Sequence, residues 1–462
     1  MITTMKIKDF FSPVDMTVGD PVHQILLFTV PMLIGNIAQQ LYNTVDSIIV
    51  GKYVGDNALA AVGSAGPIVN LMIVLFIGIS TGATIIVSQY FGARSREGMS
   101  RSIGCCITLT AIASLIIMIV GPLVSMPLLR LLNTPDSIIY WCRDYLTILF
   151  VGIMGSGFYN ILSGVLRGLG DSFSALVYLL VATVLNIILD YVFVAKLGLG
   201  VAGVAWATII AQFVSGILCI VRLARMKDLF DLKWKYLKPS GRDTSALIRL
   251  GLPSGITHAI FSMSMIVVQS LTNSFGEVFI AANVIVMRID GFVMLPAFSF
   301  STAMTTFAGQ NIGAGQIDRV YDGARRGTLT AMGISTVITG LILVFGRSLM
   351  GIFTNTQELI DLSYHMMQIL AVGYIFCEVT QCLCGIMRGA GDTVTPMWIS
   401  IFTSVILRVP LAYGLVWLTK SPAKPQGEQA MLFVSLLIDW LLGALITFVI
   451  YRRGRWKDKT VI

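Results

Sequence analysis

Five acidic side chains interrupt long apolar runs of this chain: Asp46, Asp190, Asp290, Glu378 and Asp439. An ionisable group in hydrocarbon is costly, and by default it marks binding, proton transfer or charge pairing. Asn186 and Asp190 are spaced i, i+4, so they stack on one helix face, and Thr208 lies in the next apolar run. An acid, an amide oxygen and a hydroxyl can coordinate Na⁺ together with water. A carboxyl group in a medium of low dielectric can instead carry a proton. Asp46 closes a polar stripe of Asn36, Gln39, Gln40, Asn43 and Asp46 that covers an arc of about 120° on a helix. So narrow a stripe faces a protein interior rather than lipid. Pro31 lies on the same run, where its missing N–H frees a carbonyl and permits a bend.

The remaining buried groups read differently. Arg288 is two residues from Asp290 and cannot face it on one helix. Asp439 is expected to pair with Arg408, and Asp290 is also expected to be paired structurally. Glu378 suits a cationic substrate, with an ion pair to Arg408 as the alternative. His258 is expected to pack in a core. The seven cysteines form no CxxC and read as small buried apolar residues. Arg167-Gly168-Leu169-Gly170-Asp171-Ser172 lacks the Lys-Ser/Thr of a phosphate loop; Gly168 should end one helix and Asp171 cap the next.

The elements that must hold these groups are membrane helices. Hydrophobic residues make up 56% of the 462 and charged residues only 12%, with a mean hydropathy of +0.83. A soluble domain carries about 25% charged residues. Twelve apolar runs are each long enough to cross a bilayer: 22–45, 58–88, 102–126, 141–164, 173–194, 199–221, 246–272, 279–307, 327–346, 363–386, 394–418 and 430–451. Barrel strands would show about ten-residue segments of alternating polarity, and these runs do not alternate. The start, MITTMKIKDFFSPVDMT, is charged and amphipathic, so no cleavable signal is expected.

Lys and Arg crowd the loops on one side, while the other side holds only Lys52, Arg130, Arg143, Lys196, Arg347, Lys420 and Lys424. This bias is expected to place both termini on the cytoplasmic side of the membrane. The net charge of +8 is thus a topology signal, and no nucleic-acid partner is expected.

The chain also repeats itself. The RGLGDS motif at Arg167 returns as Arg388-Gly389-Ala390-Gly391-Asp392-Thr393, 221 residues on, and Gln89, Gly92 and Ala93 return as Gln310, Gly313 and Ala314. Pro31 returns as Pro253 one indel away. Six spans per copy is even, so the copies are parallel. The expected division is an N-lobe at 1–222, a charged linker at 223–243 and a C-lobe at 244–462, in an all-α polytopic membrane protein of two parallel six-helix repeats. The acids are not repeated: Arg408-Val409-Pro410-Leu411-Ala412 occupies the region matching Asn186–Asp190, and Gly157 matches Glu378. That asymmetry marks the first-lobe acids as a site, since packing groups would be expected in both lobes.

Taken together, NTVDSIIVG with Pro31, SQYFGA and GQNIGA, RGLGDS and RGAGDT, NIILDY, GVAWAT and LRVPLAY resemble the multidrug and toxic compound extrusion (MATE) transporters across all twelve spans, in the prokaryotic drug-exporter branch that includes the DinF-type proteins. The resemblance implies a non-enzymatic antiporter that exports organic cations and amphipathic compounds in exchange for H⁺ or Na⁺, by alternating access and without a cofactor. It implies a cation site at Asp46, Asn186, Asp190 and Thr208, a hinge at Pro31, Glu378 as a substrate candidate, and a single copy in the bilayer. FSMSMIVVQS in span 7 lacks the Glu of the NorM-type pattern, which favours the first-lobe site. A lipid-linked sugar flippase is the alternative within the superfamily; it would commonly carry extra spans and a basic cavity.

Overall fold

A computed structural model describes residues 12–132, 134–422 and 424–462, apart from the Asp56 side chain. Lys6 and Lys8, which contribute to the expected sidedness, lie outside the described residues. The expected spans appear one for one: α1 (Pro21–Tyr53), α2 (Asp56–Gly92), α3 (Arg96–Leu131), α4 (Ile139–Val151 and Ile153–Gly168), α5 (Ser172–Lys196), α6 (Gly200–Arg225), α7 (Gly241–Asn273), α8 (Glu277–Gly313), α9 (Ile317–Gly351), α10 (Gln357–Gly389), α11 (Val394–Leu418) and α12 (Ala430–Arg452). Several helices start well before their apolar runs, α9 by ten residues. Their first turns are charged and amphipathic, and hydropathy alone does not detect such turns. Among the described residues no strand forms beyond an isolated bridge between Ser421 and Lys424.

The two copies share one internal frame. In the first, α4 packs against α2, α3 and α6; in the second, α10 packs against α8, α9 and α12. Arg167 donates to Ser80, which donates to the Asn160 carbonyl, and Arg388, Ser301 and Gln381 repeat both bonds. Each RGxGD turn needs its second glycine. Gly170 and Gly391 have φ of 88° and 98°, and a Cβ there would stand 2.3 Å from the Val14 carbonyl oxygen or 2.4 Å from that of Lys459. The copies differ in their central helix. α4 bends by 54° at Gly152, where Gly152, Gly155 and Gly157 fall within six residues, whereas α10 runs unbroken.

Compact packing divides the described chain differently from the sequence boundaries at 222 and 244. One unit holds 12–15, 27–255 and Ile462, and the other holds 16–26 and 256–461. The divisions therefore fall inside α1 and α7, near Pro31 and Pro253. In the second unit, Met16 is fully buried; its N–H donates to Gln310 Oε1 at 2.9 Å, and its carbonyl accepts from Asn311 and Arg319. Asp20 pairs with Arg326 at 2.6 Å. In the first unit, Gly251 of α7 lies against α2, where a Cβ would meet the Gly78 carbonyl oxygen at 2.9 Å. The linker is shorter than expected, because α6 continues to Arg225 and α7 begins at Gly241. Arg96 pairs with Asp231 at 3.0 Å and holds that carboxyl below the usual carboxylate range. A carboxylate with a depressed pKa contributes its stabilisation at neutral pH and loses it only as the pH falls through the lowered value.

Asp171 caps α5, accepting from the Ser174 N–H at 3.0 Å and hydroxyl at 2.7 Å, and it also pairs with Arg222 at 2.8 Å. Asp392 makes the same two bonds to Thr395, but Gly443 stands where a second Arg222 would be. Asp171→Ala should therefore cost about 3 kcal/mol, from the cap and an orphaned arginine, and Asp392→Ala about 1 kcal/mol. Melting of the purified variants in detergent checks this; equal losses would show that the Arg222 pair adds nothing.

Candidate functional site

The first unit gathers most of the expected site. Asn186 and Asp190 are fully buried on α5, and Asp46 on α1 is half-buried beside them. With its nitrogen facing the acids, the Asn186 amide donates to Asp46 Oδ1 at 2.8 Å and to Asp190 Oδ2 at 3.1 Å. Both carboxyl groups therefore converge on one amide. Two ionised carboxylates held this way repel, and a shared proton or a bound cation relieves the repulsion. Asp190 Oδ1 is buried without a hydrogen-bond partner, which leaves one acceptor ready for a proton or a small cation. Thr208 on α6 joins through Tyr42, whose hydroxyl donates to Thr208 Oγ1 at 3.4 Å.

Local helix geometry helps to place Asp190. The chain turns π-helical immediately after it, over Tyr191–Lys196, a distortion that recurs at functional sites. Two tyrosines were not legible as site residues. Tyr42 is four residues before Asp46, on the same edge of α1, and that spacing was an available signal. Tyr145 on α4 lies within electrostatic range of both aspartates, and nothing in its local sequence points there.

The polar stripe of α1 is only partly drawn in. Tyr42 is buried and Asp46 half-buried, but Asn43 is exposed and accepts from Gln39 at 3.4 Å along the helix surface. Gln40 and Asn36 are half-buried, and the Gln40 carbonyl accepts from Thr44. Ile34, Ile37, Leu41 and Ile48 are exposed on the opposite side of the helix. One face of α1 thus suits lipid, and the other presents amides. Pro31 is half-buried within a continuous helix.

The second unit carries a separate charged group. Arg408 is 6% exposed, just after a π-helical stretch at Phe402–Leu407, with Asp439 and Asp290 as its charged neighbours. Asp290 accepts from the Tyr374 hydroxyl at 2.8 Å. Glu378 is buried with Oε2 unpartnered, and Arg408 does not neutralise it. The alternative reading of Glu378 as the partner of Arg408 finds no support: among the described residues no ion pair joins them, and the electrostatic neighbours of Arg408 are the two aspartates. Arg288 is exposed. His258 is also exposed on α7, not packed in a core as expected. All seven cysteines are free and buried. Among the described residues, no group of three or more His, Cys, Asp or Glu could hold a metal ion.

Twelve membrane helices in two repeats, with a buried carboxyl pair in the first, have the character of a transport protein. The MatE family profile matches residues 31–192 and again 253–414, once per repeat, and the chain belongs to that family. It is 32% identical over 401 residues to "Probable multidrug resistance protein YoeA" of Bacillus subtilis, covering 85% of this chain and 87% of the relative. It is 30% identical to "Probable multidrug resistance protein YpnP" of the same species, over 96% and 97% of the two chains. Among solved structures, it is similar to "Outward-facing conformation of a multidrug resistance MATE family transporter of the MOP superfamily", with a TM-score of 0.89, 24% identity, and coverage of 97% and 99%. "Crystal structure of MATE in complex with MaD3S" gives the same score and coverage at 25% identity.

Removing Arg408 leaves two buried carboxylates without their cation, whereas Glu378→Gln removes a charge that has no partner. Arg408→Ala should therefore destabilise by about 3 kcal/mol, and Glu378→Gln by about 1 kcal/mol or less. Thermal melting of the two purified variants decides the ranking.

Proposed function

We propose that this protein exports amphipathic or cationic small molecules from the cytoplasm in exchange for protons, by alternating access, with Asp46 and Asp190 as the coupling pair. The observation that carries this reading is the Asp46–Asn186–Asp190 triad. Its amide lies within hydrogen-bond reach of both carboxyl groups, and a proton shared by two such acids supports this reading. The names of the relatives support drug export, and the crowding of Lys and Arg on one side supports cytoplasmic termini. Buried acids in both units, Asp190 and Glu378, each with one oxygen that lacks a hydrogen-bond partner, suit cations better than the anionic headgroup of a lipid-linked sugar, so the flippase reading is not favoured. Glu378 is the substrate contact we favour, and Pro31 the hinge. The chain works as a single copy and needs no cofactor in this reading.

Asp46→Asn and Asp190→Asn should each reduce proton-driven dye efflux from proteoliposomes by more than about tenfold at normal expression and folding. Full transport by either variant would remove that acid from the mechanism. Efflux driven by a Na⁺ gradient alone, with no response to a pH gradient, would replace the proton with Na⁺. Glu378→Gln should slow cationic dyes by about tenfold while sparing neutral amphiphiles, since only a cation loses the attraction; an equal loss for both would indicate a structural role.

A further inference from the structure

The segment between α6 and α7, residues 226–240, is held against α3 by a set of directed contacts. Phe230 is buried at 1% exposure, and the Asp231 N–H donates to Ser100 at 2.8 Å. Arg96 bonds the carbonyls of Lys227 and Asp228 as well as the Asp231 carboxylate. Thr108 donates to the Leu237 carbonyl at 2.6 Å. Gly104 lets the Tyr236 carbonyl approach so closely that a Cβ would stand 2.1 Å from its oxygen. Gly104 and Thr108 follow Arg101, the last charge on α3 before Arg130. The 3₁₀ turn Trp234–Leu237 is therefore pinned at the level where α3 passes from charged to apolar.

At that level Trp234 is 87% exposed, with Leu232 beside it at 38%. A bare tryptophan at the polar–apolar boundary of a membrane helix is placed as an interfacial anchor. The charge around it is predominantly basic. Arg96 engages Asp231 of the segment, and Arg101 engages Asp243 at the start of α7 at 2.5 Å, so two nearby acids are paired with arginines of α3, while Asp228 and Glu97 are exposed. Lys233, Lys235, Lys238 and Arg242 remain exposed. Lys235 lies 4.5 Å from the Tyr236 ring centroid, and Lys233 reaches Asp231 only at 3.9 Å. A largely apolar groove of about 500 Å³ adjoins them, lined by Pro239, Gly241, Thr244, Ser245, Ile248 and Arg249.

We propose that this segment is a docking surface for anionic phospholipid headgroups, with Trp234 seated in the headgroup layer and the groove receiving the start of an acyl chain. A soluble protein partner would not require the tryptophan to stand at the apolar boundary of α3, whereas a lipid headgroup sits there by necessity. The proposal does not depend on which ion drives transport or on which residue meets the substrate.

The test uses the full-length protein in vesicles of phosphatidylcholine alone or mixed with phosphatidylglycerol, either lipid brominated near its headgroup. Tryptophan fluorescence is read for the wild type and for Trp234→Phe, and the difference isolates Trp234. Brominated phosphatidylglycerol should quench that component several-fold more than brominated phosphatidylcholine at equal mole fraction. Each basic residue near an anionic surface contributes about fivefold in association. A variant with Lys233→Gln, Lys235→Gln, Lys238→Gln and Arg242→Gln should lose the preference, and Lys238→Gln with Arg242→Gln should reduce it if the fourfold variant does not fold. Equal quenching by both lipids, or no quenching of the Trp234 component, overturns the proposal. So does a phosphatidylglycerol preference that inorganic phosphate abolishes, which would make this a site for soluble anions.

Discussion

Two carboxyl groups that converge on one amide inside a membrane protein have few electrostatic options. Both cannot be ionised without a cation between them, and neither can leave, because each is fixed by its own helix. Asn186 makes this arrangement stable by donating to both acids from a position one turn before Asp190. The surrounding helices serve that triad. α1 brings Asp46, α6 brings Thr208 within reach of Tyr42, and α5 turns π-helical directly after Asp190. Such a frame keeps the two charges coupled. If the acids could drift apart, each would settle its own charge separately.

The duplicated frame shows what the second copy has done with the same architecture. The Arg–Ser–carbonyl bonds at Arg167 and Arg388 match bond for bond, as do the caps at Asp171 and Asp392. Those features hold helices together in both copies. The charges differ. Where the first unit sets a carboxyl pair against an amide, the second unit places Arg408 in electrostatic range of Asp290 and Asp439. Glu378 stands outside that arrangement with an unpartnered oxygen, so the two units solve the problem of buried negative charge in different ways.

Much of this was legible in the sequence, for physical reasons that can be named. Twelve spans follow from hydropathy because the bilayer demands continuous apolar length. The i, i+4 spacing of Asn186 and Asp190 fixes their shared face, and helix periodicity places Asp46 on a polar edge. What periodicity could not show is how that edge is divided, with Tyr42 and Asp46 turned inward and Asn43 left open. Tyr145 reaches the aspartates from a different helix, and contacts between helices leave no trace in local spacing. The bend at Gly152 was foreshadowed by three nearby glycines, but the π-helical turns were not, since no residue type demands them. His258 shows the opposite error: a polar residue in an apolar helix invites a buried reading, yet its side of α7 is open.

The packing of α1 and α7 bears on how such a chain can be cut or built. Residues 16–26 are counted with the second unit, and residues 226–255 with the first. A break placed in the linker would separate six spans from six spans on paper, yet each fragment would carry away a piece that packs with the other. Coexpressed halves would have to exchange these arms before either was complete. The same holds for ancestry. A lone six-span copy would have had an arm with no seat of its own, so the repeat makes sense as a unit that met a second copy of itself before the two became one chain.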